Sequence, residues 1–233
     1  VRSKNRKHVY PRENLAKFLD FLFKNFAVMV WSSAQPRNVH YMITKVFGNH
    51  KEKLVRVWDR RHCTLDGDYF SKSKSIKDLE RLFSGWSLKD SPFKDVAPAL
   101  YCQDLRSNAT GSSSSSSNDE NIGEASLRSQ RFKWDLRTTL LIDDSESKAT
   151  KQPENHICVS EYTRSTSDDE LLVLMSYLRE VLEYVKSKTD GDKSGGQQDC
   201  INIREFTRGN PWTRFCDAYS KKQCEKSESG GES

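Results

Sequence analysis

The sequence predicts an α/β fold built on a parallel sheet, and three observations carry that prediction. Residues 138–145 read Thr-Thr-Leu-Leu-Ile-Asp-Asp-Ser, an apolar run closing on two adjacent carboxylates. Residues 26–31 form a second apolar run, which ends in Ser32-Ser33-Ala34. Segments with helical spacing of apolar residues lie beside both runs. Unbroken apolar strands suit a sheet that is covered on both faces, as parallel sheets are. Ligands of open α/β sheets collect beyond the carboxyl ends of the strands. Asp143, Asp144, Ser32 and Ser33 fall at such ends. Neighbouring acids there need a positive partner, and a hard cation such as Mg²⁺ suits them, although Asp-Asp-Ser is also ordinary turn chemistry.

Taken in order, Pro11 is suited to the first turn of a helix over 13–25, where its missing N–H costs nothing. That helix would bury Leu15, Phe18, Leu19, Leu22 and Phe23 and expose Lys17, Asp20 and Lys24. After the strand at 26–31, Gln35-Pro36 opens a helix patterned on Val39, Ile43 and Phe47. Ser32 or Ser33 either caps that helix or contacts phosphate oxygens at its start. Residues 54–58 suggest a third strand, 59–63 a turn-rich loop, and Asp66-Gly67 a turn. Lys72, Lys74 and Lys77 read as a solvated run, except that Leu79, Leu82 and Phe83 would anchor the segment beside Lys77 and point that lysine into a site. Ile157-Cys158-Val159 is a short last strand. Ser167-Asp168-Asp169-Glu170 has the composition of a helix start, with acids favouring the positive end of the dipole. Leu171, Leu174, Met175, Leu178, Val181, Leu182 and Val185 then make a long amphipathic helix.

Composition bounds the rest. The chain has 233 residues, is 35% hydrophobic and carries a formal charge of +5, with a mean hydropathy of −0.80. Those values fit one core diluted by polar segments. Six serines at 112–117 mark 108–126 as a disordered insertion, about 105–130 at its widest, within one domain over 1–188. Residues 189–233 read as a polar tail in which Ile201, Ile203, Phe206, Trp212, Phe215 and Tyr219 form a small apolar motif. The mild positive charge permits an acidic partner without demanding nucleic acid, and none is expected to bind directly. No apolar run approaches the roughly 20 residues that span a bilayer, and no secretory leader stands near Val1. The six cysteines show no zinc spacing and read as reduced intracellular thiols.

Several pieces resemble one family. Val28-Met29-Val30-Trp31-Ser32-Ser33, Lys77-Asp78-Leu79, the block from Leu140-Leu141-Ile142-Asp143-Asp144-Ser145 to Gln152-Pro153-Glu154-Asn155-His156-Ile157, and a Ser-Asp-Asp-Glu-Leu helix start are similar to the haloacid dehalogenase superfamily, in the NLI-interacting-factor-like branch of RNA polymerase II C-terminal-domain phosphatases. The resemblance spans about 9–186, interrupted by the serine-rich insertion, and the same domain occurs in the presequence-receptor subunit of the mitochondrial inner-membrane translocase. It implies a three-layer Rossmann-like parallel sheet and a Mg²⁺-dependent phosphoserine/phosphothreonine phosphatase acting on phosphorylated proteins or peptides through an aspartyl-phosphate. By position, Ser32 would hydrogen-bond the transferring phosphoryl group and Lys77 would neutralise its charge. Asp144 would bind Mg²⁺, and Asp143 would orient the lysine or complete the metal shell.

One departure matters. The family's D-x-D motif, carrying nucleophile and general acid, precedes the first helix, and no such motif stands before Val9. Asp66-Gly67-Asp68 has the spacing but follows no apolar strand. The expectation is therefore a fragment lacking its first, central strand and inactive alone, located in nucleus or cytoplasm. The alternative is a non-catalytic receptor at the mitochondrial inner membrane, binding presequence peptides and translocase subunits, its anchor upstream of this chain.

Overall fold

The computed structural model describes residues 9–70, 73–84, 135–190 and 201–229. The serine-rich insertion and Lys72 lie outside these residues. Helix α1 (Leu15–Asn25) begins later than its spacing suggests. Pro11 does not open it; Asn14 does, in the left-handed conformation at φ 60°, which asparagine tolerates better than most residues. Strand β1 (Met29–Trp31) leads to α2 (Pro36–Val46), with Pro36 in its first turn. Strand β2 (Arg56–Trp58) pairs with β1 in parallel, Trp31 opposite Trp58. The crossover runs through α2, as a parallel pair requires.

Residues 60–62 then make one 3-10 turn. Strands β3 (Thr64–Asp66) and β4 (Lys74–Ile76) form an antiparallel hairpin. Its first turn passes through Gly67 at φ 115°, a conformation open chiefly to glycine. Only the turn, not the hairpin, is signalled by Asp66-Gly67. The short helix α3 (Glu80–Phe83) follows. Strand β5 (Leu141–Asp143) pairs in parallel with β6 (His156–Cys158), Asp143 opposite Cys158. Helix α4 (Glu170–Asp190) covers them. Its start lies after Ser167, whose hydroxyl bonds Ser165 at 2.9 Å rather than capping the helix; the Asp169 carbonyl accepts instead from Leu172 and Val173 N–H.

Strand β5 divides the interior. Leu141 packs with Trp31, Trp58, Cys63, Leu79 and Ala149. Leu140 and Ile142 face the other way, against a larger cluster that includes Phe18, Ile157, Leu174 and Leu178. Alternate residues of β5 and the residue before it are thus buried on opposite sides, which explains the unbroken apolar run that leads to Asp143. The fold is mixed helix and strand with small parallel pairs. Among the described residues β1–β2 and β5–β6 are separate two-stranded sheets with no ladder joining them.

The 201–229 segment is more ordered than a polar tail. Helices α5 (Ile203–Gly209) and α6 (Trp212–Ser229) dock on α4. Tyr177 of α4 donates to the Asn210 carbonyl at 2.7 Å and meets Trp212 and Phe215 edge-on, with ring centres 5.4 and 5.2 Å away.

Candidate active site

The site forms where three segments converge on the end of β5. Strand β4 delivers Lys77, β5 delivers Asp143 and Asp144, and the 3-10 turn at Glu146–Lys148 delivers Lys148. The Lys77 N–H donates to the Lys148 carbonyl at 2.8 Å, which stitches the first segment to the third. Lys77 is 5% exposed, so it is not part of a solvated run. Its ammonium donates directly to Asp143 Oδ2. Lys148 Nζ stands 3.4 Å from Asp143 Oδ1, and the Ser145 N–H donates to that oxygen at 3.1 Å. The Asp143 carbonyl accepts from Val159 N–H at 3.1 Å and from His156 Nε2 at 3.2 Å. Burial pushes the Asp143 carboxyl up, but the two lysines outweigh it and hold the group below the usual carboxylate range. Burial likewise lowers His156, against the partial opposition of Asp143.

Asp144 differs from its neighbour. Its side chain is 49% exposed, stands 3.9 Å from Lys148 Nζ and also meets the Asp143 carboxyl. Mg²⁺ is usually held by one or two carboxylates and several waters. Asp144 fits that donor role, since its oxygens are accessible and lightly engaged. Asp143 has both oxygens committed to cations and an N–H, which suits it to orienting Lys77. No group of three or more His, Cys, Asp or Glu side chains gathers as a metal cage among the described residues.

Ser32 ends β1. Its N–H donates to the Trp58 carbonyl at 2.9 Å, and its half-buried hydroxyl accepts from Ala34 N–H at 3.1 Å. The hydroxyl therefore closes the turn into α2, and among the described residues it makes no hydrogen bond to Asp143 or Lys77. The approach between the two strand ends runs instead through Cys63, 2% exposed. Burial holds its thiol above the ordinary value, while the Lys77 charge and the Trp31 indole pull it down. Of the clearest cavities, one of about 300 Å³ lies between α4 and α6 beside Asp169 and Tyr219, and one of about 310 Å³ lies beside Pro11 and Tyr41. Neither is lined by Asp143.

Two features escaped the sequence reading. Gln152, 6% exposed, accepts from Leu79 N–H at 3.1 Å and donates to Asp78 Oδ1 at 3.0 Å, fixing the loop that carries Lys77. Asp59 and Arg61, both fully buried, make a two-pronged ion pair, with Arg61 Nη2 2.8 Å and Nε 3.0 Å from the carboxylate. Residues 59–63 are thus the turn their composition suggests, but a buried one. Next to that pair, Arg60 ties the turn after β1 to the hairpin: its N–H donates to the Ala34 carbonyl at 3.0 Å, and its guanidinium to the Tyr69 carbonyl and Ser73 Oγ, each at 2.8 Å.

Parallel strand pairs with a lysine–carboxylate cluster at one strand end make this an α/β domain with a charged site at a strand end. The profile of the NLI interacting factor-like phosphatases matches residues 1–110 and 112–189, and the chain belongs to that family. It is 25% identical over 175 residues to an FCP1 homology domain-containing protein of Schizosaccharomyces pombe, a match covering 72% of this chain and 57% of that one. It is 32% identical over 81 residues to a CTD phosphatase-like protein of invertebrate iridescent virus 6, covering 34% of this chain and 44% of the viral one. The namesake protein of invertebrate iridescent virus 3 is 32% identical over 99 residues, 39% of this chain and 50% of that one. The chain thus matches about half the length of these curated relatives.

Proposed function

We propose that this domain is the scaffold of a Mg²⁺-dependent protein serine/threonine phosphatase of the haloacid dehalogenase type. The observation that supports it most is the buried Lys77–Asp143 pair at the end of a parallel strand, with the accessible Asp144 carboxylate beside it. Such a group can sit against a phosphoryl group. Lys77 offsets its charge, Asp143 fixes the ammonium, and Ser32 turns its hydroxyl from Ala34 N–H toward a phosphoryl oxygen. Asp144 would hold Mg²⁺, which when bound neutralises phosphoryl charge.

The nucleophile is not among these groups. Asp66 and Asp68 share the D-x-D spacing but are exposed on the β3–β4 hairpin. We assign the nucleophile to a further strand that joins β1–β2 to β5–β6, completing the three-layer parallel sheet. One of its Asp carboxylates attacks phosphorus and forms an aspartyl-phosphate. A second Asp, two residues on, protonates the departing seryl oxygen and then takes a proton from the hydrolytic water. Phosphorylated proteins or peptides are the substrate class.

The test is phosphoserine-peptide hydrolysis by the full-length gene product. Turnover in Mg²⁺ that is lost in chelator is expected. Asp144→Asn should raise the Mg²⁺ concentration needed for half-maximal rate at least severalfold, and Lys77→Met should lower kcat by about a hundredfold. A folded full-length protein without turnover, or an Asp144→Asn variant with unchanged Mg²⁺ demand, overturns the reading.

A further inference from the structure

Residues 201–229 lie beyond the segment that the family profile matches, yet they are bonded to the loops that shape the site. Glu154 ends up between two arginines of α5. Its Oε2 accepts from Arg204 Nε at 2.9 Å, and its Oε1 from Arg208 Nη2 at 2.7 Å and Nε at 3.0 Å. The Glu154 carbonyl accepts from Thr207 Oγ1 at 2.6 Å. At its other end, α5 is tied to the approach to β5, since Ile203 N–H donates to the Arg137 carbonyl at 2.8 Å. One short helix thereby grips the chain just before β5, whose end carries Asp143, and just before β6, whose first residue His156 bonds the Asp143 carbonyl.

The grip continues inward. Gln152, two residues from Glu154, holds Asp78 and Leu79. Asn155, fully buried, donates to the Leu136 and Thr139 carbonyls at 2.5 and 2.7 Å. His156 then bonds the Asp143 carbonyl. Relative magnitudes divide the labour. Exposed ion pairs contribute little to adhesion, so these set register instead. Adhesion comes from Ile203, Phe206 and Trp212, all at most 8% exposed and packed on Tyr177 and Tyr184.

We infer that α5 and α6 are an intramolecular brace for the site, and that Glu154, Arg204 and Arg208 are positioning residues acting through Gln152 on the Lys77 loop. The brace rests on reading Lys77 and Asp143 as the site, but the coupling is measured without turnover, so failure of either is seen separately.

The experiment is residue-resolved amide hydrogen exchange on the full chain. In R204A/R208A, exchange at Leu79, Gln152, Asn155 and His156 should rise about fivefold, while Leu19 in α1 stays unchanged. The Gln152 side-chain amide resonance should shift in the same variant. Phe206→Ala should give a larger rise at the same amides; if that variant does not fold, the arginine pair carries the test. Reversing the charges, E154R with R204E and R208E, should restore protection at Leu79. Faster exchange confined to 201–229, an equal rise at Leu19, or no recovery on charge reversal overturns the inference.

Discussion

Lys77 and Asp143 show how much a single side chain is asked to do. Both are about 6% exposed and satisfy each other. Removing one partner of a buried pair leaves a charge without compensation, which costs several kcal/mol. Lys77→Met should therefore lower unfolding free energy by about 3 kcal/mol in denaturant titration, with Lys148 absorbing part of the loss. Asp59→Ala is expected to be at least as damaging, about 3–5 kcal/mol, because Arg61, at zero exposure, would lose its two-pronged carboxylate partner. Asp78 supplies a pH signature. Burial raises its carboxyl, but Lys151 and Gln152 more than reverse this and hold it below the ordinary value. A lowered folded value means its stabilisation is complete above the ordinary carboxyl range and fades as pH falls through the lowered one. Asp78→Asn should thus flatten the acid limb of stability measured from pH 5 downward; an unchanged limb would refute this.

At the scale of elements, the apolar runs foretold β1 and β5 because both feed the interior, β1 through Met29 and Trp31 and β5 from both sides, and their lengths were the error. Only Met29–Trp31 and Leu141–Asp143 form ladders, since extended backbone continues beyond the paired residues. Leu79, Leu82 and Phe83 anchor their segment as their spacing suggests, with Leu79 2% exposed. The candidate lysine was legible for that reason. The charged stretch at 59–62 was not, because polar composition describes a surface unless the partners are known, and Asp59 and Arg61 are each other's partner. Gln152 and Glu154 were invisible similarly: their partners lie at Leu79 and Asp78, and at Arg204 and Arg208, far along the chain. The heptad-like stripe of α4 was plain, and Leu174 is wholly buried in it. Leu174→Ala should cost about 2–5 kcal/mol, read as a fall in thermal midpoint.

For the whole molecule, the family is that of the NLI interacting factor-like phosphatases, and the sheet in hand is two parallel pairs rather than one ladder. Among the described residues no helix is long and apolar enough to cross a membrane. The four described cysteines, Cys63, Cys158, Cys216 and Cys224, are free thiols. Burial lifts Cys216 to about 11, so it should react with a soluble thiol reagent much more slowly than Cys224, which is exposed. Equal labelling rates at pH 8 would contradict the packing of α6 on α4.

Strand β5 sends Leu141 to one side and Leu140 with Ile142 to the other, so the tryptophan pair of β1 and β2 and the leucine stripe of α4 lean on the same three residues. Neither half can melt without stripping cover from the strand that the other half needs. Heating should consequently report a common midpoint whether one follows Trp31 and Trp58 or the backbone of α4, as in a wall whose two rooms share their only partition.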